Sequence, residues 1–317
     1  MNEGVMASLP NDSLPRRVRL VDVGPRDGLQ NQPKILAPAD RVRLVEALLA
    51  AGVDHVEVGA FVSPKAVPAM AGADEVLTGR GDGGSATLTV LIPNLKGYEL
   101  ARAAGARSVC MVLYGSEGMA QANARMSRAE ADDATAIILE RARADGVRVT
   151  ATIAVAFECP FDGPVDPGVI RDAAARFLEL GADEFCLADT IGAADPIRVR
   201  SLTRDLVAAH DAGRLGCHFH DTRALGLANV FAAVESGIRS FDASIGGLGG
   251  CPFAPGASGN VATEDVVMML EQMGFDTGID LDRLMQASEL AQDLTGTAPG
   301  GRASAWLKRH LAKARSA

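Results

Sequence analysis

The sequence predicts an α/β chain folded as one (β/α)8 TIM barrel with additional C-terminal helices. Three observations lead there. Eight short runs rich in Val, Ile, Leu and Thr recur along the chain, segments of Ala, Leu, Glu and Arg at helical spacing separate them, and a glycine closes several of those segments just before the next run. Repeated strand-then-helix alternation with short connections gives parallel strands, and eight parallel strands can close into a barrel. A doubly wound open sheet is the alternative arrangement.

In order, strands are expected at 18–23 (VRLVDV), 55–60 (HVEVGA), 86–92 (ATLTVLI), 108–114 (SVCMVLY), 147–155 (VRVTATIAV), 184–188 (EFCLA), 215–220 (LGCHFH) and 240–245 (SFDASI). Before several of them a helical segment ends in glycine, at Gly52, Gly105, Gly181 and Gly237. Glycine just past a helix supplies the left-handed conformation that turns the chain back to the sheet. No charge block or low-complexity tract divides the chain, and the Gly-rich stretch 79–84 reads as a surface loop. One catalytic domain over 1–317 is expected, with the barrel at about 17–260 and a helical extension over 261–317 that packs on the barrel or on a partner subunit.

A hydrophobic content of 48% in 317 residues supports a large buried core. The net charge of −9 argues against a nucleic-acid or anionic-membrane surface, either of which needs excess Lys and Arg at the contact. No apolar run approaches the roughly 20 residues that span a bilayer. The start, MNEGVMASLPNDSLPRR, has no apolar core of the signal-peptide kind, so a cytoplasmic location is expected. Five widely spaced cysteines without a CxxC indicate neither a disulfide framework nor a zinc knuckle.

Polar residues gather where a parallel barrel keeps its active site, at the C-terminal ends of the strands. The first strand runs into Gly24-Pro25-Arg26-Asp27-Gly28, the second carries Glu57, the sixth ends in Asp189-Thr190, and the seventh carries two of the five histidines, His218 and His220. Side chains two apart on a strand share a face, so both imidazoles point to one place. They can hold a divalent metal, or they can be neutral rings hydrogen-bonded within a core. Bringing carboxylates, a guanidinium and imidazoles to one rim is costly without a purpose, and a metal resolves the conflict. Asp27 with His218 and His220 gives a mixed O and N set that suits Mg2+ or Mn2+ and leaves positions for further oxygen ligands. Asp27 as an ordinary turn aspartate is the plainer reading.

After the eighth strand comes the glycine-rich run 246–260, GGLGGCPFAPGASGN, whose composition suits a mobile lid over the barrel mouth. Cys251 rides on it as a credible proton donor or acceptor. Asn260 ends the run and can either cap the next helix or turn its carbonyl oxygen to the metal; spacing does not choose.

The segments VDVGPRDGLQNQ, EVGAFVSPKAVPAM, NLKGYELARAAGA, LADTIG, HFHDT and GGLGGCPFAPGASGNVATED, in that order across nearly the whole chain, resemble the 3-hydroxy-3-methylglutaryl-CoA lyase family. The resemblance implies a barrel lyase that splits a tertiary 3-hydroxyacyl-CoA into acetyl-CoA and a keto acid with Mg2+ or Mn2+. It places Asp27, His218, His220 and Asn260 at the family's metal ligands, Arg26 at its catalytic and substrate-binding arginine, and Cys251 at its loop cysteine. Glu57 and Asp189 match acidic residues of its active site, and the family suggests a homodimer. Two departures, Arg223-Ala224 and Gly59-Ala60, lie near the expected site and bear on the identity of the acyl group.

The expected chemistry removes the C3 hydroxyl proton while the bond electrons leave as a thioester enolate. A metal would act as Lewis acid and template, Arg26 would stabilise the enolate, Asp189 or a histidine of the metal rim would take the proton, with the acidic residue favoured because a ligated nitrogen is not free, and Cys251 would protonate the departing carbon. Alternatives are a citramalyl-CoA or longer-chain 3-hydroxyglutaryl-CoA lyase, a Claisen-type synthase, a biotin-dependent carboxyltransferase, and a non-catalytic acyl-CoA-binding barrel. The carboxyltransferase would need a ligand lysine, and the strand ends at Tyr114, Phe157 and Asp189 offer none. A chain freed from catalysis need not retain Arg26 and Cys251 together.

Overall fold

The structure, a computed structural model, describes residues 16–79, 84–250, 259–297 and 300–316. Eight parallel strands close a barrel: β1 Arg19–Asp22, β2 His55–Ala60, β3 Thr87–Leu91, β4 Ser108–Tyr114, β5 Arg148–Ala154, β6 Glu184–Asp189, β7 Leu215–Phe219 and β8 Ser240–Ala243. Their order around the barrel is β1-β8-β7-β6-β5-β4-β3-β2. All eight lie where the sequence places them, which excludes the open sheet. Most of the glycine-rich stretch around residue 80 lies outside the described residues.

Helices α1 Pro38–Ala50, α2 Ala73–Thr78, α3 Leu95–Ala103, α4 Glu117–Ala124, α5 Arg128–Asp145, α6 Pro167–Glu179, α7 Pro196–Ala209 and α8 Gly226–Glu235 fill the connections. Capping sets several of their starts. Ser127 and Glu130 form a reciprocal capping box on α5, and the Asp195 carboxylate accepts from the N–H of Ile197 and Arg198 at the start of α7. A two-stranded ribbon, Glu158–Cys159 with Gly163–Pro164, interrupts the β5-to-α6 connection. The sequence does not announce it, because two-residue strands carry no periodicity. α9 Thr263–Gln272 follows β8, and α10 Leu281–Thr295 and α11 Ser304–Ser316 continue beyond it. α10 packs on α1, where Arg283 Nη1 donates to the carbonyl of Ala50 at 3.0 Å.

Along β5, Val149, Ala151 and Ile153 are buried while Thr150, Thr152 and Ala154 are half-buried. The same alternation puts polar groups inside the barrel. Arg19 of β1 reaches across to Glu184 of β6, and Ser240 of β8 joins them, its hydroxyl donating to Glu184 Oε1 at 2.7 Å. Apolar residues of the outer strand faces meet the helices and form the main core, including Leu20, Val56, Phe185, Phe219 and Phe241. The lumen is therefore the polar side of this sheet.

Asp22 closes β1 and is fully buried. Its carboxyl accepts from the Gly24 N–H at 2.8 Å and from Thr263 Oγ1 at 2.7 Å. Burial raises its pKa to about 7 against the opposing effect of those hydrogen bonds, with Glu264 nearby adding to the rise. The folded protein thus keeps a proton that the unfolded chain releases near pH 4, so the stability contributed by this group is present in acid and lost as pH rises through about 7. Asn has the same size and does not ionise. Asp22→Asn should gain stability over the wild type as pH rises from 5 to 8, by a few kcal/mol at most. Urea unfolding at both pH values reads this, and an equal difference at both would refute it.

Candidate active site

After Val23 the chain makes one wide turn, Gly24–Gly28, in which the Gly28 N–H reaches back to the Val23 carbonyl at 3.1 Å. That i to i−5 bond is a single π-type turn, a form that often marks functional sites. Glycine is required at both ends of it. A Cβ on Gly24 would lie 2.8 Å from Asp22 Oδ1 and Ile245 Cγ2, and one on Gly28 would lie 2.8 Å from Ser244 Oγ and Leu248 Cβ. Seated this way, the turn brings consecutive residues Arg26 and Asp27 together, with Arg26 Nη1 donating to Asp27 Oδ1 at 2.7 Å. Glu57 of β2 takes the other edge of the guanidinium, at 2.7 Å from Nε and 2.6 Å from Nη2.

His218 lies on β7 and His220 just past its end, with ring centroids 5.2 Å apart. One ligating atom each from Asp27, His218 and His220 falls within 4.8 Å of the others. Asn260 joins them because the chain at 259–261 pairs with the end of β7. Asp221 N–H donates to the Gly259 carbonyl and Val261 N–H to the Phe219 carbonyl, both at 3.1 Å, leaving His220 and Asn260 side by side. Asn260 Nδ2 then donates to Asp27 Oδ2 at 2.8 Å and to the Leu248 carbonyl at 3.1 Å.

Electrostatics separates the members of the group. Burial disfavours ionised Asp27, but Arg26, both histidines and the Asn260 amide outweigh it and hold the carboxyl at about 2. Burial also opposes the charge on Arg26, yet Glu57 and Asp27 together keep it more firmly protonated than usual. Glu57 is pushed up by burial, against the pull of Arg26. Burial and then His218 lower His220 to about 4, so its ring is neutral at ordinary pH. His218 is raised, because the hydrogen bond and charge of Asp242 overcome its burial.

Three polar atoms here are buried without a hydrogen-bond partner among the described residues: His220 Nδ1, Asn260 Oδ1 and Glu57 Oε1. Each such orphan costs about 1–3 kcal/mol. A satisfied core histidine would not leave a ring nitrogen orphaned, so the reading of His220 as a plain core residue loses its support. A carboxylate, two imidazoles and a free amide carbonyl are donors that fit Mg2+ or Mn2+, and a cation would use the lone pair that Asn260 Oδ1 leaves idle.

The other residues singled out by sequence fall less simply. The carboxylate of Asp189, at the end of β6, accepts from the N–H groups of Ala193 at 2.8 Å and Ala194 at 3.1–3.2 Å, which fixes the loop after the strand. Burial raises it to about 6 against those bonds. Cys251 lies outside the described residues. Gly59 sits at a register shift between β2 and β3, and a Cβ there would lie 2.8 Å from Arg41 Nη2, so this glycine serves helix packing. Arg223 pairs with Glu158 on the ribbon at 3.7 Å. Sequence reasoning missed Asp242, whose Oδ2 lies 3.1 Å from His218 Nδ1. The available signal was a lone carboxylate in the middle of the eighth strand, SFDASI.

The profile of the HMGL-like family matches residues 17–291. An (R)-citramalyl-CoA lyase of Chloroflexus aurantiacus is 47% identical over 86% of this chain and 89% of its own length. A 3-hydroxy-3-isohexenylglutaryl-CoA/hydroxymethylglutaryl-CoA lyase of Pseudomonas aeruginosa is 43% identical over 95% of this chain and all of its own. Among solved structures, an HMG-CoA lyase of Acinetobacter baumannii in complex with coenzyme A and 3-methylmalate superposes with a TM-score of 0.86 at 40% identity, covering 90% of this chain and 93% of that one. A family match over most of the chain, and relatives this similar across nearly their whole length, make this chain a member of the HMGL-like family.

Proposed function

We propose that this protein is a divalent-metal-dependent lyase that cleaves 3-hydroxy-3-methylglutaryl-CoA to acetyl-CoA and acetoacetate. The observation that carries the reading is the meeting of Arg26, Asp27, His218, His220 and Asn260 at one barrel mouth, with buried donor atoms left idle among them. Asp27, His218, His220 and Asn260 would hold Mg2+ or Mn2+, which when bound supplies Lewis acidity and a template for the substrate oxygens. Arg26, clamped by Glu57 and Asp27, keeps N–H donors on Nη1 and Nη2 to spare and meets the negative charge that develops on the thioester oxygen. Asp189, raised to about 6 by burial, is still ionised near neutral pH yet more basic than an ordinary carboxylate, and would accept the C3 hydroxyl proton. The electrons of the C2–C3 bond pass into the acetyl-CoA enolate, and protonation of that carbon by Cys251 completes acetyl-CoA. A homodimer and a cytoplasmic location belong to the same proposal; no described helix is long and apolar enough to cross a membrane.

A second reading is supported by the 47% identity to the citramalyl-CoA lyase. Both reactions release acetyl-CoA, and they differ in the keto acid. A panel of 3-hydroxy-3-methylglutaryl-CoA and citramalyl-CoA, assayed with and without Mg2+ for acetyl-CoA, acetoacetate and pyruvate, decides between them. Metal-dependent acetoacetate release at the higher kcat/KM is expected. Pyruvate as the preferred product would move the assignment to the second reading, and no acetyl-CoA from either substrate would end both.

A further inference from the structure

The lumen holds two carboxylates below the barrel mouth, Glu184 and Asp242. Glu184 is accounted for by Arg19 and Ser240. Asp242 has no arginine or lysine partner among the described residues. Its Cα is the register partner of the Cα of His218 on the neighbouring parallel strand, so the two side chains stand on the same face. Its Oδ2 lies 3.1 Å from His218 Nδ1 and 3.9 Å from the Cys186 thiol. The Asp242 side chain is 20% exposed and that of His218 11%, so their contact is mostly shielded from water.

A neutral imidazole carries one proton, on either nitrogen. A carboxylate at Nδ1 draws that proton there and leaves Nε2 with the free lone pair. It also fixes the ring's rotation, because the hydrogen bond defines one edge of the imidazole. His220 offers the contrast: its Nδ1 is buried with no partner among the described residues, so no side chain sets its tautomer from that side. We infer that Asp242 is a positioning residue that holds His218 in the Nδ1–H tautomer and so prepares its Nε2 to bind the divalent cation. The inference rests on the reading of His218 as a metal ligand. Metal-binding histidines commonly donate their other N–H to a carboxylate, and loss of that partner costs about 10- to 100-fold in metal affinity.

The test uses the full chain stripped of metal, with Mn2+ titrated in and free Mn2+ followed by electron paramagnetic resonance. Asp242→Ala and the isosteric Asp242→Asn, the latter guarding against a folding failure of the former, should each bind Mn2+ about 10- to 100-fold more weakly than wild type. In protein labelled with 15N at its histidines, long-range 1H–15N spectra at alkaline pH should show His218 as the Nδ1–H form in the wild type and shifted toward Nε2–H in Asp242→Ala. Wild-type Mn2+ affinity in both variants, or an unchanged His218 tautomer in the alanine variant, overturns the inference. His218→Ala is the control that keeps the two ideas apart. If it binds Mn2+ like wild type, the ligand reading itself falls; if it loses Mn2+ while the Asp242 variants do not, only the role of Asp242 falls.

Discussion

Arg26→Gln lowers kcat by about 10²- to 10³-fold, the loss expected when one preorganised donor to a developing oxyanion is removed. The size follows from the clamp around this residue. Glu57 and Asp27 hold the guanidinium on two sides, and its side chain is only 12% exposed, so it meets the reacting oxygen without reorganising and with little water to screen it. Glutamine cannot replace that charge. It also leaves Glu57 buried without its cation, so the Glu57 carboxyl, already raised by burial, rises further and takes up a proton. Asp27 keeps the two histidines and the Asn260 amide, which favour its ionised form. Bound metal should therefore persist in this variant while turnover collapses. Steady-state kinetics together with elemental analysis checks both halves. Turnover within about tenfold of wild type would remove the assigned role.

His220→Ala should strip the divalent metal and turnover together. His220 is only 5% exposed and its ring, held at about 4, is neutral at working pH, so one ring nitrogen keeps a lone pair free for a metal. Losing an outer partner of a ligand already costs about 10- to 100-fold in affinity, and losing the ligand itself should cost at least as much. The measurement is metal content of purified protein by elemental analysis, with turnover read at rising Mn2+ concentration. Unchanged occupancy would remove His220 from the proposed ligand set.

The two variants separate functions that share one rim, and the separation shows how much the sequence alone carries. Asp27, His218 and His220 were legible as a group because each stands at a strand end in a repeating pattern, and a barrel brings all strand ends to one mouth. The side-by-side placement of Asn260 and His220 was not legible from spacing, and only the resemblance implied that they share a metal. It depends on the chain at 259–261 adding itself to the end of β7 through the Asp221 and Val261 N–H groups, a pairing between segments some forty residues apart. The clamp of Glu57 on Arg26 was equally hidden, since it joins two strands through side chains whose length and rotamer no spacing rule fixes. Asp189 reads from the sequence as a free acid at a strand end, yet its oxygens meet two backbone N–H groups of its own loop. Asp242 escaped notice because its significance comes wholly from its register against His218.

What the sequence determined by itself was the number and order of the strands, the end of the barrel at which chemistry gathers, the family, and the residue types from which a metal site can be made. These rest on local periodicity and on the tendency of parallel strands to close, and both are written along the chain. Which donors are paired and which are idle came from the folded chain alone: Arg26 bound on two edges, His218 Nδ1 against Asp242, and His220 Nδ1 and Asn260 Oδ1 buried without a partner among the described residues. Pairing depends on distances of about 3 Å between residues remote in sequence, and those distances are set only when the barrel closes and its register is fixed.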